Sequence, residues 1–175
     1  MQQYKEFLEK KRHSIGNFGF SPNYLPDIAF DFQKAIIERS VLKGRIAVFA
    51  DTGLGKTLIQ LSIAKNIIEH TNQKVLILTP LAVAFQFILE AEKLGIDDIE
   101  YSKDGKHTKK IVICNYERLH YFNETDFVGV ILDESSILKN FDGKIKGQVT
   151  SFVKKIPYRF LSTATPAPND YIEFG

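Results

Sequence analysis

Five short apolar runs punctuate the chain, each bounded by polar or turn-forming residues. They are Ile46 to Ala50, Val75 to Leu78, Ile111 to Cys114, Phe127 to Leu132, and Phe160-Leu161 with its neighbours. Their apolar residues are contiguous rather than alternating, which predicts strands covered on both faces. Ile99-Glu100-Tyr101 is a sixth, weaker strand candidate. Between the runs the period lengthens to that of helices. Leu58 to His70 carries Ile59, Ile63 and Ile67 at four-residue spacing, and Ala82 to Leu94 repeats the pattern through Ala84, Phe87, Ile88, Ala91 and Leu94. Gly95 then supplies a left-handed stop. Upstream, Asp27 to Leu42 reads as a helix opened near Pro26 and closed by Gly44. Gln148 to Lys155 reads as part of a later helix, following a turn at Asp142-Gly143.

Strands alternating with helices of this length imply right-handed crossovers and a mostly parallel sheet. The expected fold is a three-layer α/β domain over residues 27–175, with residues 1–26 a helical extension and loop. In such sheets ligands bind beyond the carboxyl ends of the strands.

Composition narrows the picture further. With 175 residues, 44% hydrophobic and 25% charged, the chain is long enough for one domain with a sizeable core. No apolar stretch approaches the roughly 18 residues a membrane span needs, so no membrane partner is expected. A single cysteine, Cys114, excludes an internal disulfide framework and points to a reducing, cytoplasmic setting. The net charge of +2 says nothing about nucleic acid by itself. The basic segments Lys10 to His13, Lys103 to Lys110 and Lys154-Lys155 read most simply as solvated loops and helix ends.

Candidate chemistry begins after the first strand. Ala50-Asp51-Thr52-Gly53-Leu54-Gly55-Lys56-Thr57 leads straight into an amphipathic helix. This is a phosphate-binding loop in its required strand-to-helix context, with Ala50 standing where the full pattern has glycine. Glycines let successive N–H groups turn toward phosphate oxygens, and the new helix adds its positive end. Lys56 can reach the β- and γ-phosphates, and the Thr57 hydroxyl can ligate magnesium. A second element closes the strand Val128 to Leu132, which runs into Asp133-Glu134. Asp133 would hold magnesium through its water shell, and Glu134 would act as base toward water. The alternative for the acidic pair is a simple helix cap.

With these residues in order, the chain resembles superfamily 2 helicases and translocases, the DEAD/DEAH-box ATPases, in particular their Swi/Snf-like branch. That family accepts Ala in the first place of its phosphate loop. Phe30-Asp31-Phe32-Gln33 is similar to the segment that reads adenine, which implies Gln33 for that role; its amide offers both a donor and an acceptor. Leu76 to Pro80 and Ile113 to Glu117 resemble segments that meet nucleic acid in relatives, implying Thr79, Pro80, Asn115 and Tyr116. Leu132 to Asn140 corresponds to the acidic box, with Ser135-Ser136 in place of the usual Ala-Asp or Ala-His and a Swi/Snf-like tail at Leu138 to Asn140. Leu161 to Pro166 resembles the motif that links nucleotide state to grip, implying Ser162, Thr163 and Thr165.

The resemblance implies a RecA-like P-loop NTPase domain that binds ATP and Mg2+. It also implies a nucleic-acid partner, with duplex DNA favoured over RNA. Relatives clamp ATP between two RecA-like domains, the second supplying arginine fingers. None follows within these residues, so a second domain is expected in cis or in trans, and the chain alone should hydrolyse ATP poorly. The competing readings are a non-motor phosphate-loop NTPase and an ATP-binding scaffold.

Overall fold

The computed structural model describes residues 17–51, 53–135 and 143–163. The expected N-terminal helix, Thr52, the tail of the acidic box and Thr165 lie outside them.

Helix α1 spans Asp31–Lys43, four residues later than Pro26 suggested. The start is set by Gln33, whose Oε1 accepts from the Phe30 N–H at 2.9 Å, while Pro26 only seats a turn through Ala29 N–H. Gly44, at φ 66°, ends the helix and turns the chain into β1, Arg45–Phe49. Helix α2 (Lys56–Thr71) leads to β2 (Lys74–Leu78), and α3 (Leu81–Lys93) to β3 (Ile99–Tyr101). Gly95 adopts the left-handed conformation after α3. Strand β4 (Ile111–Cys114) is followed by two 3-10 helices, Tyr116–Tyr121 and Glu124–Asp126. Strand β5 (Phe127–Leu132), α4 (Gly143–Lys154) and β6 (Tyr158–Thr163) complete the described chain. The later helix thus begins at Gly143, earlier than Gln148, because Ile145 shares the inward stripe with Val149 and Phe152.

The six strands form one parallel sheet in the order β1-β6-β5-β2-β4-β3. Alternate strand residues feed two cores. Val75, Ile77, Ile113, Ile131 and Phe160 pack with α1, α2 and α3 on one face. Leu76, Leu78, Val112, Val130 and Leu132 pack with α4 and the longer 3-10 helix on the other. Burial of this apolar surface is the main stabilising term. Strand β1 departs from the expectation of cover on both faces: it is an edge strand, and Phe49 is 60% exposed. Cys114 lies fully buried in the second core.

Residues 17–26 pack on this domain. Phe18, Gly19 and Phe20 donate to the last carbonyls of α1, satisfying a helix end. The buried Asn66 amide accepts from the Asn23 and Tyr24 N–H groups and donates to the Tyr24 carbonyl. Among the described residues no helix is long and apolar enough to cross a membrane.

Candidate functional site

The carboxyl ends of β1, β2 and β5 converge on one cleft of about 430 Å³. Gly53, Gly55, Lys56 and Thr57 form one wall, and Asp133 and Glu134 another. Pro80 and the α3 residues Val83, Gln86 and Glu90 close the third side.

The loop leaves β1 and turns on Gly53 and Gly55, at φ 86° and 74°. Both values suit glycine, and the second aims the start of α2 at the cleft. An added Cβ on Gly55 would collide with the Gln33 amide. Gln33 is buried, and its Nε2 donates to the Leu54 carbonyl at 3.0 Å. It therefore caps α1 and braces the phosphate loop at once. Each end of the amide keeps further hydrogen-bonding capacity. The Lys56 ammonium folds back on the loop, donating to the Ala50 carbonyl at 3.1 Å. Asp51 is exposed at the loop's mouth, as is Leu54.

Asp133 is held by three side chains. Gln60 Nε2 donates to its Oδ1 at 2.7 Å and Thr79 Oγ1 to its Oδ2 at 2.9 Å. The Tyr116 hydroxyl donates to its carbonyl oxygen at 2.7 Å. Burial raises the Asp133 pKa above the usual aspartate value; the Gln60 and Thr79 hydrogen bonds oppose that shift, and the neighbouring Glu134 carboxylate adds to it. Glu134 sits at φ 50°, unusual for a side-chain-bearing residue. Its Oε1 accepts from Thr163 Oγ1 at 2.7 Å, which links the end of β6 to the acidic pair.

The residues implied for nucleic-acid contact or for coupling divide by exposure. Thr79, Asn115, Tyr116, Ser162 and Thr163 are all buried. Asn115 accepts from the Tyr101 hydroxyl at 3.0 Å and donates to Glu117. Thr79 and Tyr116 both spend their hydroxyls on Asp133, so in this structure they present no free edge to a phosphate backbone. Pro80 alone of this group reaches the cleft. The reason is topological: these residues lie at or just past the carboxyl ends of β2, β4 and β6, packed into the sheet end.

Two polar cleft residues, Gln86 and Glu90, and one buried beside Asp133, Gln60, were not singled out by the sequence. Gln60 lies one helical turn beyond Lys56, a polar residue between buried Ile59 and Leu61, and that oddity was its only signal. Gln86 and Glu90 are one turn apart on α3, and nothing in sequence distinguishes them from an ordinary polar face.

Among the described residues no cluster of three or more metal-ligating side chains occurs. The cleft offers a cation oxygens from Thr57, Glu90, Asp133 and Glu134, to be completed by oxygens that a ligand brings. The donors present are hard oxygens, as magnesium prefers. Gln60 Oε1, buried beside Asp133, has no hydrogen-bond partner and suits a water of the ion's hydration shell.

Comparison with solved structures finds the same fold in helicase cores. The UvsW helicase from bacteriophage T4 matches with a TM-score of 0.68 at 18% identity, over 83% of this chain and 55% of that one. The Sulfolobus solfataricus SWI2/SNF2 ATPase core in complex with dsDNA matches at 0.67 and 20% identity, over 86% of this chain and 35% of that one. The same ATPase core domain alone matches at 0.68 and 20%, over 85% and 33%. The chain thus spans about half of the first protein and a third of the others, and at these identities the likeness is one of fold. No curated protein matches the chain. The family model for the DEAD/DEAH box helicase matches residues 30–174, which takes in the phosphate loop, the acidic pair and the Thr163 strand end; the chain belongs to the DEAD/DEAH box helicase family.

Proposed function

We propose that the chain is the ATP-binding first motor domain of a nucleic-acid translocase or helicase, with duplex DNA as its track. One observation carries this reading: Lys56 and Thr57 face Asp133 and Glu134 across a single cleft. A phosphoryl-transfer site needs that pairing, since the chemistry is mainly positioning and electrostatic stabilisation.

In this reading the loop N–H groups and Lys56 hold the β- and γ-phosphates once Lys56 leaves the Ala50 carbonyl. Gln33 reads the adenine edge with its remaining hydrogen-bonding capacity. Thr57 and Asp133 would hold magnesium, Asp133 through water. The ion would neutralise charge on the transferring phosphate. Glu134 orients and deprotonates the attacking water, with Thr163 fixing its carboxylate. Thr79 and Tyr116, just past β2 and β4, both grip Asp133 and so would couple track binding to the acidic pair. Ser162, Thr163 and Thr165 are assigned to the same coupling.

A second RecA-like domain, in cis or in trans, would bring arginine to the open side of the cleft. Such an arginine contributes roughly 10³–10⁵ in turnover, so this domain by itself should hydrolyse ATP slowly. Duplex DNA is favoured by the Swi/Snf-like tail of the acidic box and by the fold shared with a SWI2/SNF2 core solved on dsDNA.

Lys56→Ala tests the reading. A non-hydrolysable ATP analogue with magnesium should raise the melting temperature of the unaltered chain and leave that of the variant unmoved. An equal rise in both would remove Lys56 from the site.

A further inference from the structure

The surface opposite the nucleotide-facing helices carries a second, unrelated feature. Helix α4, Gly143–Lys154, contains Lys144, Lys146 and Lys154 and no acidic residue, and Lys155 follows at once. Four lysines within so few positions stand out in a chain with a net charge of only +2. Two of them, Lys144 and Lys155, share one face of the helix, while Lys146 and Lys154 fall on others. Lys144, Gln148, Ser151 and Lys155 recur at helical spacing and so form one stripe. Gln148, Ser151 and Lys155 line a groove of about 220 Å³, whose other wall includes His120 on the 3-10 helix Tyr116–Tyr121. Phe122 and Phe152 form its apolar floor. Beside His120 stands Tyr121, 53% exposed, the two rings 4.0 Å apart between centroids.

We propose that this groove binds a strand of nucleic acid, with Lys144, Gln148, Ser151 and Lys155 along its phosphates and the His120–Tyr121 pair against a base. The stripe runs roughly 16 Å at 1.5 Å per residue, enough for several phosphates at about 3.4 Å per nucleotide of one strand. A polar stripe with a lysine at each end, beside exposed rings, is suited to holding a strand without reading its sequence. The groove also supplies what the buried Thr79, Asn115 and Tyr116 side chains do not, a wet face with free donors. Glu124 is the one acid among its lining residues, and it pairs with Lys155. It acts as a counter-charge that an incoming phosphate displaces. The inference rests on the reading of the chain as a nucleic-acid motor, but it concerns a different surface from the nucleotide cleft.

Fluorescence anisotropy of the full chain with labelled oligothymidine and with a mixed-sequence duplex tests it. The double variant Lys144→Glu/Lys155→Glu should weaken binding tenfold or more and flatten the slope of log K against log salt by about 2, one for each lysine. Glu124→Gln, which frees Lys155, should tighten binding. His120→Ala/Tyr121→Ala should cost the single strand about fivefold or more and the duplex less. The matched control Lys65→Glu/Lys93→Glu should stay within about twofold of the unaltered chain, since anything more would be a general charge effect. Equal losses in control and groove variants, or no loss in either, overturn the proposal, as does failure of the unaltered chain to bind either oligonucleotide. The ATP-analogue melting shift, measured on the same proteins, separates the two readings. It should persist in every groove variant, whereas Lys56→Ala should lose it and keep oligonucleotide binding.

Discussion

Asp133 shows how a single residue is held for a task at some cost to the resting molecule. Its carboxylate is buried, and burial pushes its pKa up against the two hydrogen bonds it accepts. A carboxyl whose folded pKa is raised adds stability below the ordinary aspartate value, about 3.9, and that contribution is lost as pH climbs through the folded pKa. Asp133→Asn should therefore melt as high as the unaltered chain at neutral pH or about 2–4 °C higher, a gain of about 1 kcal/mol. The advantage should shrink as pH falls toward 4, while the magnesium-dependent ATP shift disappears. A clearly lower melting point at neutral pH would show that the ionised form is favoured instead. Gln33 carries two duties that one substitution can separate. Gln33→Ala should relax preference for ATP over GTP and also cost about 1 kcal/mol, since the Phe30 N–H and the Leu54 carbonyl lose a partner. Stability loss with unchanged discrimination would leave it only the bracing role.

Elements were legible where their cause was local. The six strands could be read because apolar runs in a parallel sheet are contiguous, and even the short Ile99–Tyr101 stood out between polar neighbours. The phosphate loop was equally plain, being written in consecutive residues. What sequence withheld was relational. That β1 is an edge strand depends on where β6 lands, and Gln60, 73 positions from Asp133, finds it only through the fold. The start of α1 was misplaced because its cap is a glutamine side chain reaching back, a weaker signal than proline. Similarly, the basic segment Lys103 to Lys110 reads as a solvated loop, and sequence does not show that Glu100 on β3 accepts from its Thr108 and Lys109 N–H groups. Partial burial works to raise the Glu100 pKa, and those N–H groups outweigh it, so the carboxyl titrates below the ordinary range. The sign follows: this staple stabilises above the unfolded glutamate value, about 4.3, and is lost as pH falls through the lower folded value. Glu100→Gln should cost less than about 1 kcal/mol at neutral pH, as expected for an exposed group, and nothing in strong acid. A deficit that persisted unchanged into strong acid would mean the staple does not depend on charge.

Across the whole molecule, two cores share one sheet, and the candidate nucleotide cleft sits at the carboxyl ends of its strands. Cys114 lies buried in the second core, at the carboxyl end of β4 and next to Asn115. It is the chain's sole thiol, and burial drives its pKa up to about 12. Neutral and shielded, it is inert to alkylating reagents while the domain is closed. Its modification rate therefore serves as a built-in stopwatch for opening of the sheet, with no label to introduce. Filling the cleft ties the Asp133 end of β5 to the phosphate loop and should slow that clock, by about tenfold for each 1.4 kcal/mol of binding. A rate indifferent to saturating ATP analogue and magnesium would mean that the two halves of the domain open independently. A cysteine that takes part in no chemistry thereby becomes the most direct witness to whether nucleotide holds the domain shut.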